Sequence, residues 1–256
     1  MVNRADRINE PALRQALCDT ARDIWTRGLG AAADGNLSAR LGKDRLLATP
    51  SGCHKGRLRP DDLAVTDLNG RHLAGNRPSS ELALHLSAYQ QRPEVNAVIH
   101  AHPPMATAYE LAGGALSEVF VSEVIFAFGQ VATAPYVTPT TAEVGTVLAP
   151  YLRCYDVVMM PRHGVVTLGA DLDQAFIRLD AMEHTAKIVS VAQLLGARFQ
   201  GAPSPIPGEE VSRLYEAAGR TPRGGACPPM EQTSALVADE RLIAAVLDAL
   251  KRGPMS

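Results

Sequence analysis

The chain has 256 residues, 46% of them hydrophobic and 20% charged, enough to bury one sizeable core without requiring a second domain. A formal net charge of -2 without a long basic run argues against a nucleic-acid stripe or a polybasic membrane patch, and no transmembrane span is read, so no membrane partner is expected. The expected partners are small molecules and further copies of the chain.

The first residues lack the apolar stretch of a secretory signal, and Cys18, Cys53, Cys154 and Cys227 show no short metal spacing. A cytoplasmic protein with reduced thiols is therefore expected. Leu13, Leu17, Ala21, Ile24 and Trp25 fall near helical spacing, which predicts an amphipathic helix over residues 11–27 that Gly28 and Gly30 end. Short strands between Gly/Asn/Asp turns are expected at 36–41, 45–49, 64–67 and 72–73. A helix over 81–92 follows, then a β-branched run at 95–99, stopped by Pro103-Pro104 just after His102. Further helices are expected at 106–111 and at 141–152, the latter capped by Thr140 or Thr141, with a buried strand at 157–160. The longest helix should run over 172–195, where Phe176, Leu179, Met182, Ala186, Ile188, Val189 and Ala192 supply core contacts.

From residue 203 the composition becomes Pro/Gly-rich, which suggests an ordered loop or a tail. Beyond it, Leu242, Ile243, Val246, Leu247 and Leu250 form one face of an expected helix over 239–252 that needs a partner surface. The expected organisation is a domain over residues 1–202 and a C-terminal segment over 203–256, packed on that domain or on a neighbouring subunit.

Three fragments fit one metal site: Ser79-Ser80-Glu81, His100-Ala101-His102, and His163 in Pro161-Arg162-His163-Gly164. Residues two apart on a strand share a face, so the His-x-His pair can offer both imidazoles to one ion. Alone the pair is weak, since histidines at strand ends are often merely hydrogen-bonded. Two buried strands, each ending in histidine beside a proline turn, are harder to dismiss. Glu81 and His163 would complete a shell of three nitrogens and one oxygen suited to zinc (Zn2+), with cobalt (Co2+) or manganese (Mn2+) as substitutes.

Several segments, in this order, resemble the class II aldolase/adducin family, in particular its L-fuculose-phosphate aldolase branch. They are Gly35-Asn36-Leu37-Ser38, Thr49-Pro50-Ser51-Gly52, Pro78-Ser79-Ser80-Glu81, the run from Arg92 to His102, Ala134-Pro135-Tyr136 and Arg162-His163-Gly164. The resemblance implies an α/β fold, three-layer α/β/α, around a central, mainly antiparallel sheet. It implies a zinc-dependent aldolase, a carbon-carbon lyase that splits a ketose 1-phosphate into dihydroxyacetone phosphate and an aldehyde. His100, His102 and His163 would be permanent metal ligands, and Glu81 a carboxylate that leaves the metal when substrate arrives and acts as the base. Asn36, Ser51, Gly52, Ser79 and Ser80 would hold the phosphate, although each also reads as an ordinary turn or cap residue. Together with the apolar face at 239–252, the resemblance implies a homo-oligomer, a cyclic tetramer with each site near a subunit boundary.

Two departures bear on the substrate. Arg162 stands where some fuculose-phosphate aldolases carry another histidine, and residues 121–128 lack the tyrosine those enzymes place before Ala-Pro-Tyr. Another group must then handle the proton of the aldehyde oxygen; the candidates are Glu123, close in sequence to the missing position, and Tyr215, arriving with the C-terminal segment of a neighbouring subunit. Phe126 and Phe128 suggest instead an apolar pocket end, suited to a 5-deoxy- or 5-alkylthio-pentulose 1-phosphate, with L-fuculose 1-phosphate a close rival. Family alternatives are a sugar-phosphate epimerase, a decarboxylase, and a non-enzymatic adducin-like interaction domain, which the retained ligand set disfavours. Lys55 reads as added charge near the anion or as a solvated turn, Cys53 as a small filler, and His85 as a satisfied core histidine.

Overall fold

The computed structural model describes residues 9–199, 201, 203–222 and 227–228. Its first helix, α1 (Glu10–Thr26), starts at Asn9, whose side chain accepts from the Ala12 N–H, and buries Leu17, Cys18, Ala21 and Ile24. Four strands follow: β1 (Asn36–Arg40), β2 (Arg45–Ala48), β3 (Ala64–Asp67) and β4 (His72–Ala74). Next come α2 (Leu82–Gln91), β5 (Ala97–Ala101), α3 (Pro104–Leu111), the short α4 (Glu123–Ala127) and β6 (Val131–Thr133). The remainder is α5 (Glu143–Cys154), β7 (Val157–Met160), β8 (Gly164–Gly169), α6 (Leu172–Phe199) and α7 (Gly208–Ala217).

The strands form one eight-stranded sheet in the order β4-β3-β2-β1-β5-β8-β7-β6. Only β6 and β7 pair in parallel; the other neighbours are antiparallel. The period of two divides the strand side chains between two cores. Ile99, Val157, Met159 and Val165 join residues of α1, α3, α4 and α6 on one face. Val98, Val158, Met160 and Val166 join residues of α2 and α5 on the other. That gives the expected α/β/α layering around a mainly antiparallel sheet.

Most predicted elements appear within a few residues of their expected bounds. Thr141 does not cap α5: its hydroxyl donates to the Thr138 carbonyl, and the helix starts after Ala142 without a side-chain cap. The strands β6 and β8 were not anticipated. Between Pro203 and the end of the Pro/Gly-rich stretch the chain is not simply loop: α7 packs on α4, with Tyr215 buried against Val119 and Ile125. The expected helix at 239–252 lies outside the described residues.

One expectation is corrected. Cys154, at the end of α5, is disulfide-bonded to Cys227, 73 residues later, with Cα atoms 5.8 Å apart. The fold carries the Pro/Gly-rich segment back to α5, a proximity that spacing alone does not reveal. Cys18 and Cys53 are free thiols, and burial pushes the Cys18 thiol up to about 11. Among the described residues no helix is long and apolar enough to cross a membrane.

Candidate metal centre

The site lies where β1, β5 and the β7–β8 turn meet the start of α2. In the β1–β5 register Asn36 is opposite His100, and Val166 of β8 is opposite it on the other side. Asn36, His100 and Val166 therefore share the α2 face of the sheet. His102 follows two residues later on the same face, just past the strand. His163 comes from the turn closing β7 onto β8, in which its N–H bonds the Met160 carbonyl and Arg162 takes a φ of 58°.

Two glycines permit this convergence. A Cβ on Gly35, at φ +72°, would stand 2.6 Å from the His100 carbonyl oxygen, and one on Gly164 would collide with the Ala101 carbonyl and the His102 ring. Both positions need close backbone approach, which glycine supplies.

The three imidazoles turn their Nε2 atoms inward: His102 to His100 is 3.0 Å and His100 to His163 is 3.3 Å. A tetrahedral ion with Zn–N bonds of about 2.0–2.1 Å places its nitrogen donors roughly 3.3 Å apart, so the donor set fits one metal. His100 Nδ1 lies 3.1 Å from the Val165 carbonyl, which needs the Nδ1–H tautomer and leaves the Nε2 lone pair free. Burial, then the neighbouring His102 and His163, push the His100 pKa well below its ordinary value. Burial also lowers that of His163. Neutral rings with convergent lone pairs are what a divalent cation requires.

Glu81 closes the cluster, and its sequence position explains how. It stands as N-cap of α2, so the helix start projects its carboxylate at the sheet. Oε1 is 3.4 Å from His163 Nε2 and Oε2 is 3.5 Å from His100 Nε2. Asn36, expected at the phosphate, donates through Nδ2 to Glu81 Oε2 at 2.7 Å.

The remaining phosphate candidates are brought together by a bridge between Pro50 and Pro78. The Ser51 N–H bonds the Arg77 carbonyl and the Ser79 N–H bonds the Thr49 carbonyl, so Ser51-Gly52 and Ser79-Ser80 form adjacent loops. Ser51, Gly52 and Ser80 are exposed, while Ser79 Oγ accepts from the Glu81 N–H. A cavity of about 300 Å³ adjoins Ser51, lined among others by Cys53, His54, Arg57 and Arg77. Lys55 is neither free charge nor solvated turn: it is buried, its Nζ donates to the Ala33 and Cys53 carbonyls, and burial lowers its pKa.

Within one subunit, neither proton-donor candidate is placed beside the histidines. Glu123 is exposed in the first turn of α4 and accepts from the Ser122 hydroxyl. Tyr215 lines a separate cavity with Gln130 and Asp156, which precede β6 and β7, whereas His163 follows β7. Length separates these ends: four strand residues span roughly 13 Å. Phe128 is buried in the sheet-to-α6 core and lines that far cavity, and Phe126 is exposed. Within one subunit, Phe126 and Phe128 thus form no apolar end to the histidine site among the described residues.

Sequence reasoning missed Asp34, whose Oδ2 lies 3.7 Å from His102 Nδ1, and it underread His85. Burial holds the His85 pKa down at about 3. Its ring is satisfied, as expected of a core histidine, but its partners are Asn36 and Ser38. The spacing from Glu81 to His85 was the one available signal, since residues four apart share a helix face.

Residues 15–190 match the family model described as Class II Aldolase and Adducin N-terminal domain. The chain is 31% identical over 190 residues to a 3-oxo-tetronate 4-phosphate decarboxylase of Haemophilus influenzae, covering 73% of this chain and 90% of the relative. It is 31% identical over 206 residues to a 5-methylthioribulose-1-phosphate/5-deoxyribulose-1-phosphate aldolase of Rhodospirillum rubrum, covering 80% and 90% respectively. A solved L-fuculose 1-phosphate aldolase superposes with a TM-score of 0.72 at 29% identity, over 80% of this chain and 95% of that one. The chain belongs to the class II aldolase/adducin family.

Proposed function

We propose that this protein is a zinc-dependent lyase that breaks the carbon-carbon bond beside the carbonyl of a phosphorylated keto sugar, releasing dihydroxyacetone phosphate. The observation that carries this reading is the convergence of three imidazole Nε2 atoms on one point with the Glu81 carboxylate against them. A divalent ion held there supplies Lewis acidity for the electron pair that bond cleavage leaves beside the carbonyl, with cobalt or manganese as substitutes. Glu81 moves the proton between that carbon and its own carboxylate, while Asn36 holds its Oε2. Ser51, Ser79 and Ser80 offer hydroxyls, and Gly52 and Ser80 backbone N–H groups, to the phosphate.

The first reading of the leaving fragment is an aldehyde, from a 5-deoxy- or 5-alkylthio-pentulose 1-phosphate or from L-fuculose 1-phosphate. It is supported by likeness to the Rhodospirillum rubrum aldolase across 80% of the chain. The second is carbon dioxide from a 3-oxo sugar-acid phosphate. Two observations favour it: the Haemophilus influenzae relative, and the lack of a tyrosine in residues 121–128. Losing carbon dioxide from a carboxylate moves no hydroxyl proton and needs only the one proton that Glu81 handles, whereas forming an aldehyde needs a second group. Both routes give dihydroxyacetone phosphate, so the companion product decides between them. The test is to incubate zinc-loaded protein with each phosphate and assay dihydroxyacetone phosphate, aldehyde and carbon dioxide. An epimer alone would identify rejoining of the fragments, and no turnover of any candidate would overturn the proposal.

A further inference from the structure

Behind Glu81 runs a continuous hydrogen-bonded chain of buried side chains, drawn from β1 and α2. Asn36 Nδ2 is 2.7 Å from Glu81 Oε2, His85 Nε2 is 2.5 Å from Asn36 Oδ1, Ser38 Oγ is 2.7 Å from His85 Nδ1, and Tyr89 Oη is 2.9 Å from Ser38 Oγ. Asn36, Ser38, His85 and Tyr89 are all less than 5% exposed. Helical geometry explains the pattern: Glu81, His85 and Tyr89 are each four residues apart on one face of α2. Asn36 and Ser38, two apart, share the facing side of β1.

The chain has a single consistent polarity. Asn36 must present its NH₂ to the Glu81 carboxylate, since its carbonyl there would set two acceptors against each other. The Asn36 carbonyl then faces His85 Nε2, which must carry the hydrogen. His85, held neutral by burial, has a bare Nδ1 that accepts from the Ser38 hydroxyl. Ser38 in turn accepts from the Tyr89 phenol, which burial keeps protonated. Every donor in the row points toward Glu81, and such rows strengthen link by link in a low-dielectric interior.

We infer that His85 is a positioning residue, which fixes the Asn36 amide so that its N–H faces Glu81 and anchors that carboxylate beside the three histidines. Without the His85 donor, the amide can rotate its carbonyl toward the ring cavity or toward Glu81, and the carboxylate loses its fixed partner. His85 touches neither the ligand nitrogens nor any position open to substrate, so its effect passes entirely through Asn36. This inference rests on the lyase reading for its kinetic consequence only.

The test compares two amides at residue 85. Glutamine reaches the Nε2 position and preserves an N–H for Asn36; asparagine reaches only the Nδ1 position, keeping the link to Ser38 and leaving Asn36 without a donor. With the phosphorylated substrate that the parent turns over, His85→Gln should keep kcat within a few fold. His85→Asn should lower kcat roughly 10- to 100-fold, the usual cost of losing an outer-shell partner, with KM and zinc content unchanged. Equal losses in both variants would mean a merely structural residue and overturn the inference, as would parent-like kcat in His85→Asn. A second measurement needs no substrate: ring ¹⁵N spectra of the zinc-loaded parent should show His85 protonated at Nε2 and bare at Nδ1. The opposite tautomer would overturn the inference even if the lyase assignment stands. The expected tautomer in a protein inactive on every phosphate would sustain the chain and fail only the proposed function.

Discussion

At the scale of single residues, the three histidines contribute unequally. His100 is wholly buried and locked by the Val165 carbonyl, whereas His102 sits past the strand end and is partly exposed. His102→Ala should therefore fold normally yet lose most of its zinc, because two imidazoles are too few for tight divalent binding. Elemental analysis after dialysis checks this, and stoichiometric zinc with full turnover would refute the site. Glu81→Gln should retain zinc, since the histidines remain, while kcat falls about 10²- to 10⁴-fold for want of a proton acceptor. Parent-like turnover in that variant would make Glu81 purely structural.

His85 also gives stability a pH dependence. Its folded pKa of about 3 lies below the ordinary value of 6.5, so the unfolded chain binds a proton that the folded chain refuses. Above 6.5 neither state is protonated there and the contribution to the slope is nil. As pH falls from 6.5 toward 3, stability should drop by about 1.4 kcal/mol per pH unit from this ring. His85→Gln removes that proton. Urea midpoints of the metal-free proteins should accordingly fall less steeply with acid in the variant, and parallel slopes would contradict the burial argument.

At the scale of elements, the Cys154–Cys227 disulfide ties the segment after α7 to the end of α5. It closes a loop of 73 residues, for which the chain-entropy account gives about 4 kcal/mol and measured bridges typically about 2–4 kcal/mol. Cys227→Ser should lower the denaturation midpoint correspondingly and leave zinc binding intact, because Cys154 precedes β7 while His163 follows it. An unchanged midpoint under oxidising conditions would show that the bridge does not form in solution. The helix α2 has a different duty. It packs against α5 and supplies Glu81, His85 and Tyr89 from successive turns, so its rigidity sets the precision of the site.

At the scale of the whole molecule, α6 leaves Ile177, Ile188, Val191, Leu195 and Phe199 exposed at intervals of helical spacing. Such a stripe on one long helix is an unusual surface for a monomer. A homo-oligomer, with a cyclic tetramer as the proposed form, is therefore expected. Light scattering should give a multiple of 27.2 kDa; an active species at the monomer mass would overturn it.

Fold class and the gathering of His100, His102 and His163 were legible in the chain because local rules report them. Short, nearly continuous apolar runs marked β5 and β7, proline turns marked their ends, and histidines at those ends marked the candidate ligands. The motif order gave the family, and with it the mainly antiparallel sheet. What needed tertiary structure was every relation between distant segments. Asn36 and Glu81 are 45 residues apart and Ser38 and His85 47, so no spacing rule links them, and Asn36 read as a phosphate ligand alone. The same limit hid the Cys154–Cys227 bridge and moved Phe128 and Tyr215 to the far end of the sheet. Local sequence chooses which residues can do chemistry; strand register and helix packing decide which of them meet.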